Sequence, residues 1–138
     1  KRQHQAREIG FTLKCDPGLV FRGERQDLEE LLGNLLDNAA KWAATRVSMD
    51  VSEADRGPEP DRPGKWLRIV IDDDGDGVPE DQRTDMVRRG KRLDETKPGS
   101  GLGLSIVNDL VGAYRGHLAF GQSPSGGLRA ELILPAAS

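Results

Sequence analysis

The sequence predicts an α+β domain of two layers, a mixed and mostly antiparallel sheet covered by helices on one face. Three observations predict it. Residues 27–44 and 102–114 carry apolar side chains at helical spacing. Several short runs alternate apolar and polar residues, or are densely β-branched, as strands are. Strands and helices interleave irregularly, with hairpins toward both ends, unlike the regular strand–helix repeat of a parallel sheet. A length of 138 residues suits one domain with a real core, and there is no internal repeat.

Each element has its own signal. The opening KRQHQAREIG reads as a residual linker, residues 1–10, ahead of the domain proper at 11–138. Phe11, Leu13 and Cys15 alternate with Thr12 and Lys14, which predicts a half-buried strand and a core thiol. Asp16-Pro17-Gly18 is a turn, and Leu19 to Phe21 a second short strand. In the helix at 27–44, Leu28, Leu31, Leu32, Leu35, Leu36, Ala39, Ala40 and Ala43 form one apolar stripe. Asp27 with Glu30 three residues on predicts a capping-box start. Val47, Met49 and Val51 alternate with polar residues as a strand, and 57–64 is a polar hairpin loop. Trp66 to Asp72 is a central strand. Residues 80–87 suit a short helix, and 88–100 are basic and irregular, ending in Pro98-Gly99, as a flexible lid would be. In the second long helix Ile106, Val107, Leu110, Val111 and Tyr114 take core spacing. Two final strands, 118–122 and 128–134, are joined by Ser-Pro-Ser-Gly-Gly.

Composition narrows the function. A net charge of −3 and a pI near 5.4 argue against a general nucleic-acid binder, while leaving room for a local basic pocket. A single cysteine rules out an internal disulfide and fits a reducing compartment. No run reaches the length of a membrane span, and the start carries no signal-peptide pattern.

Three stretches could carry chemistry. On the first long helix Asn34, Asn38 and Lys41 stack on a second face, with Trp42 at its edge. Asparagine is a poor helix former, so this is unusual company for leucines, although a solvated face would also accommodate it. Next, Asp72-Asp73-Asp74-Gly75-Asp76-Gly77 follows a buried strand. It imitates the start of a calcium loop, but Arg83 stands where the bidentate glutamate is required and Pro79 interrupts the loop. The other reading is a strand end presenting one carboxylate into a pocket, with Gly75 and Gly77 letting a flat ring approach the backbone. Last, Gly99-Ser100-Gly101-Leu102-Gly103-Leu104 opens a helix, where bare backbone N–H groups cradle anions such as phosphate. It lacks the Gly-Lys-Ser/Thr of a Walker loop, and no strand precedes it as in a dinucleotide fingerprint. Arg89, Arg92 and Lys97 lie just upstream and suit phosphate charge, or simply a solvated basic loop.

In this order and spacing the three stretches resemble the ATP-binding domain of sensor histidine kinases, over nearly the whole chain. GNLLDNAAKWA is similar to the N box of that family, DDGDGVP to its G1 box and GSGLGLSIV to its G2 box. The segment RRGKRLDETKPGSG is similar to the PhoQ-type branch, whose lid carries phosphate-reaching basic residues. The resemblance implies the Bergerat-type α/β sandwich shared with gyrase, chaperone and mismatch-repair ATPases, and it implies ATP and Mg²⁺ as ligands. It implies that Asn38 holds Mg²⁺, that Lys41 pairs with a phosphate, that Asp73 accepts from the adenine amino group and that Trp42 flanks the ring. Gly75, Gly77, Gly101 and Gly103 give the backbone room, the 99–104 run meets the phosphates, and Arg89, Arg92 and Lys97 approach them from the lid.

The family usually has a Phe ahead of the lid, where this chain has Met86-Val87. Neither His4, followed by Gln5, nor His117, followed by Leu118, has the sequence context of the family's acceptor histidine. The resemblance therefore implies a partner: a phosphoacceptor histidine domain of the same or a partner subunit, outside this chain, and beyond it a response regulator. It implies a homodimeric full-length protein in the bacterial inner membrane, with this domain cytoplasmic and by itself monomeric, and no nucleic-acid partner. In gyrase-like relatives a glutamate one helical turn before the Mg²⁺-binding asparagine activates water. Here that position is Asn34, which cannot act as a base, so kinase chemistry is expected over a family ATPase or a nucleotide-sensing module.

Overall fold

The computed structural model describes residues 9–54, 57–58, 64–76 and 102–137, with the backbone alone for Trp42 and 102–104. The elements run β1 (Gly10–Cys15), α1 (Arg25–Trp42), β2 (Arg46–Ala54), β3 (Lys65–Asp73), α2 (Leu102–Ala113), β4 (His117–Gln122) and β5 (Leu128–Ala136). The strands form one sheet in the order β1-β2-β3-β5-β4. Only β1 and β2 run parallel; every other neighbouring pair is antiparallel. The expected mixed, mostly antiparallel sheet is thus observed, with β3 at its centre.

Side-chain alternation sorts the sheet into two faces. Val47 lies opposite Asp73, Met49 opposite Ile71 and Val51 opposite Ile69. Ile71 and Ile69 in turn lie opposite Ala130 and Leu132. These positions share one face, and the helices cover it. Leu31, Leu35 and Ala39 of α1 and Ala43 at its C-cap recur every four residues and are buried against the strands. From α2, Val107 and Val111 close the same cluster. Each fully buried leucine or isoleucine contributes about 1.5–3 kcal/mol relative to an exposed one. The opposite face carries ion pairs instead. Arg129 grips Asp72 with two bonds of 2.8 and 3.0 Å, and Arg68 pairs with Glu131.

Four local expectations are corrected. The helix begins at Arg25, not Asp27, and the Glu24 side chain at its cap makes no capping hydrogen bond. Asp27 therefore sits inside the first turn, where it accepts the Tyr114 hydroxyl at 2.6 Å instead of capping. Residues 19–21 do not form a strand; Phe21 makes a single bridge to Ala136, flanked by bonds from Arg22 to Pro135 and from Ala137 to Val20. β1 is a strand as expected, but all six residues are exposed. Its register puts Phe11 and Leu13 beside Val47 and Met49, on the helical face, yet Phe11 is 59% and Leu13 63% exposed. The reason is cover: α1 packs mainly over β2, β3 and β5, and β1 lies at the edge beyond them. For the same reason Cys15 is an exposed thiol and not a core one. The expected short helix at 80–87 and the lid at 88–100 lie outside the described residues.

Candidate functional site

The end of β3 is where the chain concentrates unusual chemistry. Asp73 continues the inward series Ile69, Ile71, so alternation drives its carboxylate into the helix-covered layer. It is 2% exposed. One carboxylate oxygen, Oδ1, accepts from the N–H of Gly75 at 2.9 Å and of Leu128 at 3.2 Å. The other, Oδ2, is buried and has no hydrogen-bond partner among the described residues. A buried acceptor left unmade costs about 1–3 kcal/mol, more when charged, and native proteins rarely keep one without a use. An oxygen in that state is poised for a donor from a ligand.

The two neighbouring aspartates point elsewhere. Asp72 turns to the far face and pairs with Arg129. Asp74 accepts from the amides of Ala44, Thr45 and Arg46 at 3.0, 2.9 and 2.9 Å through one oxygen, and from the Thr45 hydroxyl through the other. Three adjacent carboxylates thus do three separate jobs and do not converge. The calcium-loop alternative fails on that geometry, and no cluster of metal-ligating side chains occurs among the described residues. The Thr45 hydroxyl first, then the backbone amides, hold the Asp74 carboxyl well below the usual carboxylate range.

Asp74 also positions the helix. The residues it grips follow directly on α1, so it fastens the helix C-terminus beside the end of β3. Asn38 is four residues before the last residue of α1, about 6 Å along the axis. Asn38 is half-buried and Lys41 exposed on this last stretch of helix. Asn34, one turn earlier, donates its amide to the Glu30 carbonyl at 2.8 Å, so its NH₂ group is engaged within its own helix. The structure therefore brings Asn38, Lys41, Asp73 and Gly75 toward one end of the sheet. Gly75 has a task beyond giving room, since its N–H closes an Asx-type turn onto Asp73. Leu102, Gly103 and Leu104 begin α2, which packs against α1. Gly77, Arg89, Arg92, Lys97, Gly99, Ser100 and Gly101 lie outside the described residues, as do His4 and the side chain of Trp42. His117 is exposed at the start of β4.

Sequence reasoning missed two sets of residues here. Asp74 looked like part of a repetitive acidic run, with nothing local to mark it as the residue that ties two elements together. Ser123, Ser125 and Gly127 were read only as a strand connector. In the fold the hydroxyls of Ser123 and Ser125 reach the backbone carbonyl of Asp73 at 2.8 and 3.2 Å. A Cβ at Gly127 would overlap that carbonyl and Oδ1, so only glycine lets the turn pass this close. Serines in a turn were the available signal, but a contact across fifty residues leaves no local trace.

Known proteins resemble this chain in sequence and fold. The profile of the family described as histidine kinase-, DNA gyrase B-, and HSP90-like ATPase matches residues 23–138. The sensor protein kinase CarS of Pseudomonas aeruginosa is 44% identical over 127 residues, covering 92% of this chain and 26% of the relative. The sensor protein PhoQ of Escherichia coli K12 is 34% identical over 130 residues, covering 94% of this chain and 25% of the relative. The chain thus spans about a quarter of the length of these curated relatives. Among solved structures, the mycobacterial sensor histidine kinase MprB superposes with a TM-score of 0.74 at 30% identity, covering 98% of this chain and 87% of that one. The ATP-binding domain of PrrB from Mycobacterium tuberculosis gives 0.71 at 25% identity, covering 99% and 87%. The buried aspartate at a strand end, the asparagine-bearing helix fastened beside it and these matches lead to one conclusion: the chain belongs to the histidine kinase-, DNA gyrase B- and HSP90-like ATPase family, as an ATP-binding domain of the sensor histidine kinase kind.

Proposed function

We propose that this domain holds ATP with the adenine amino group on Asp73 and, in the intact protein, presents the γ-phosphoryl group to a histidine on a separate helical domain. The observation that carries the reading is the buried, unpartnered Oδ2 of Asp73. Adenine offers an N6 amino donor where guanine offers an O6 acceptor, so a carboxylate oxygen here attracts the first and repels the second. Asn38 supplies a hard amide oxygen of the kind Mg²⁺ accepts alongside waters and phosphates, and Mg²⁺ when bound neutralises phosphate charge. Lys41 adds a cation on the same helix. Phosphoryl transfer asks the protein mainly for positioning and charge neutralisation, which these residues and the amides at the α2 start suit.

The partners follow from the same reading. The curated relatives are sensor kinases, so the acceptor is a histidine on a dimerisation domain of the same or a partner subunit, with a response regulator downstream. The membrane setting of such a kinase would reside outside this chain; no helix among the described residues is long and apolar enough to cross a membrane. Calorimetry with ATP, ADP and GTP, with and without Mg²⁺, tests the site. ATP and ADP should bind and GTP should bind poorly. Asp73→Ala should weaken ATP by about 1.5–3 kcal/mol, roughly ten- to hundredfold in Kd. Equal affinity for GTP would overturn the role of Asp73.

A further inference from the structure

Asp73 does not stand alone. Its backbone carbonyl is held by Ser123 in the turn between β4 and β5, residues 123–127, fifty positions away in sequence, and its Oδ1 by Leu128, the first residue of β5. Ser123 is the hub of that turn and is 4% exposed. Its hydroxyl donates to the Asp73 carbonyl at 2.8 Å and accepts the Gly127 N–H at 2.9 Å. A serine hydroxyl has one proton and two lone pairs, so these two bonds commit its proton to Asp73 and one lone pair to Gly127, with Ser125 Oγ 3.1 Å away. Its backbone is equally engaged: Ser123 N–H donates to Gly127 and its carbonyl accepts from Gly126, at 2.8 and 2.9 Å. The next residue, Leu128, then aims its N–H at Asp73 Oδ1.

These bonds have a consequence for selectivity. A free carboxylate rotates, and its two oxygens are interchangeable. Here the Leu128 and Gly75 amides both fall on one oxygen and leave the other open. The Leu128 amide is placed by a turn whose closure depends on Ser123. Gly127 allows it, because any side chain there would overlap Asp73.

From this we infer that Ser123 is a positioning residue for nucleobase recognition: it never touches the ligand, but sets the Asp73 carboxylate so that a single oxygen faces the base. This rests on the proposal that Asp73 reads the adenine amino group. It adds a second element, the β4–β5 turn, to the determinants of adenine over guanine.

The experiment is competition of ATP and of GTP against a fluorescent adenine nucleotide, in the unmodified chain, Ser123→Ala, Ser123→Thr, Ser125→Ala and Asp73→Ala, with thermal unfolding of each. Loss of one neutral hydrogen bond at the hub should lower ATP affinity by about tenfold. GTP, whose O6 that oxygen repels, should bind no more weakly than before, so the ATP-to-GTP ratio falls at least tenfold. Ser123→Thr keeps the hydroxyl and should restore the ratio. A merely structural serine would lower the melting temperature and leave the ratio intact; Phe120→Ala, on β4 away from Asp73, serves as that control. An unchanged ratio in Ser123→Ala overturns the inference. If Ser123→Ala does not fold, Ser125→Ala at the exposed tip decides: a fall in the ratio of about threefold supports the hydroxyl cluster, and no change overturns it. Selectivity that survives in Asp73→Ala would instead overturn the reading of Asp73 itself, so the two failures are distinguishable.

Discussion

Asp74 collects three backbone amides and a hydroxyl from residues 44–46, just after α1. Donors of this kind favour the ionised form, so its carboxyl titrates well below the usual range, with the Thr45 hydroxyl the largest cause. The sign follows from linkage. A folded pKa lower than the unfolded one gives stability that is present above the ordinary value, about 3.9, and is lost as pH falls through the folded value. Asp74 should therefore contribute to acid unfolding. Thr45→Val removes the hydroxyl but not the amides. It should raise the Asp74 pKa part of the way toward 3.9 and shift acid unfolding to higher pH. Carboxyl titration by NMR reads the first effect and circular dichroism against pH the second; an unmoved titration would show that the amides alone set the pKa.

At the scale of the element, two helices are joined at their far ends by Tyr114. Its hydroxyl donates to Asp27 and accepts the N–H of Glu24 at 3.0 Å, while its ring meets Phe21 edge-on at 5.0 Å. The bond to Asp27 is the first cause that raises the Tyr114 pKa. A raised pKa gives stability that is complete below the ordinary value, about 10, and is lost as pH rises through the folded one. Tyr114→Phe keeps the ring and deletes the hydroxyl. It should lower the melting temperature near neutrality and flatten the alkaline loss of stability. A melting temperature equal to that of the parent would show that the clamp holds nothing. Within α1 itself the apolar stripe does the larger work. Leu35 is 1% exposed, and Leu35→Ala should cost about 2–5 kcal/mol in urea unfolding. Leu13→Ala on the uncovered edge should stay within about 0.5 kcal/mol. Similar costs at the two leucines would contradict the packing described.

Among the described residues the domain is one sheet with helices on one face, and the candidate site lies at one end of that sheet. That layout leads to an expectation for the chain by itself. Asn34 stands one helical turn before Asn38, its amide cannot act as a base, and its NH₂ group is tied to the Glu30 carbonyl. Neither histidine stands in an acceptor's sequence context. Incubated with γ-labelled ATP alone, the chain should release phosphate slowly and remain unlabelled. Mixed with a matching phosphoacceptor domain, it should transfer label to that domain's histidine. Rapid release by the chain alone would favour an ATPase, and acid-labile label on His117 or His4 would identify an acceptor within the chain.

Much of this was determined by the sequence alone. Helical spacing of leucine and valine set α1 and α2, and period-two alternation set the strands, because those periodicities report which side of an element can leave water. The order of the three motifs was likewise legible, because each is a local run of residues with a local geometry. The tertiary structure decided what depends on neighbours distant in sequence. Phe11, Leu13 and Cys15 form the apolar side of a strand, but α1 does not extend over it, so they are exposed. Asp72, Asp73 and Asp74 are chemically identical in the sequence. Alternation along β3 sends the first to Arg129 and the second into the core, and where the chain leaves β3 the third meets the residues after α1. Oδ1 of Asp73 is occupied by the nearby Gly75 amide and by the amide of Leu128, 55 residues away, while Oδ2 stays open. A sequence records what each residue can bond; which bonds are already taken is fixed only when distant segments meet.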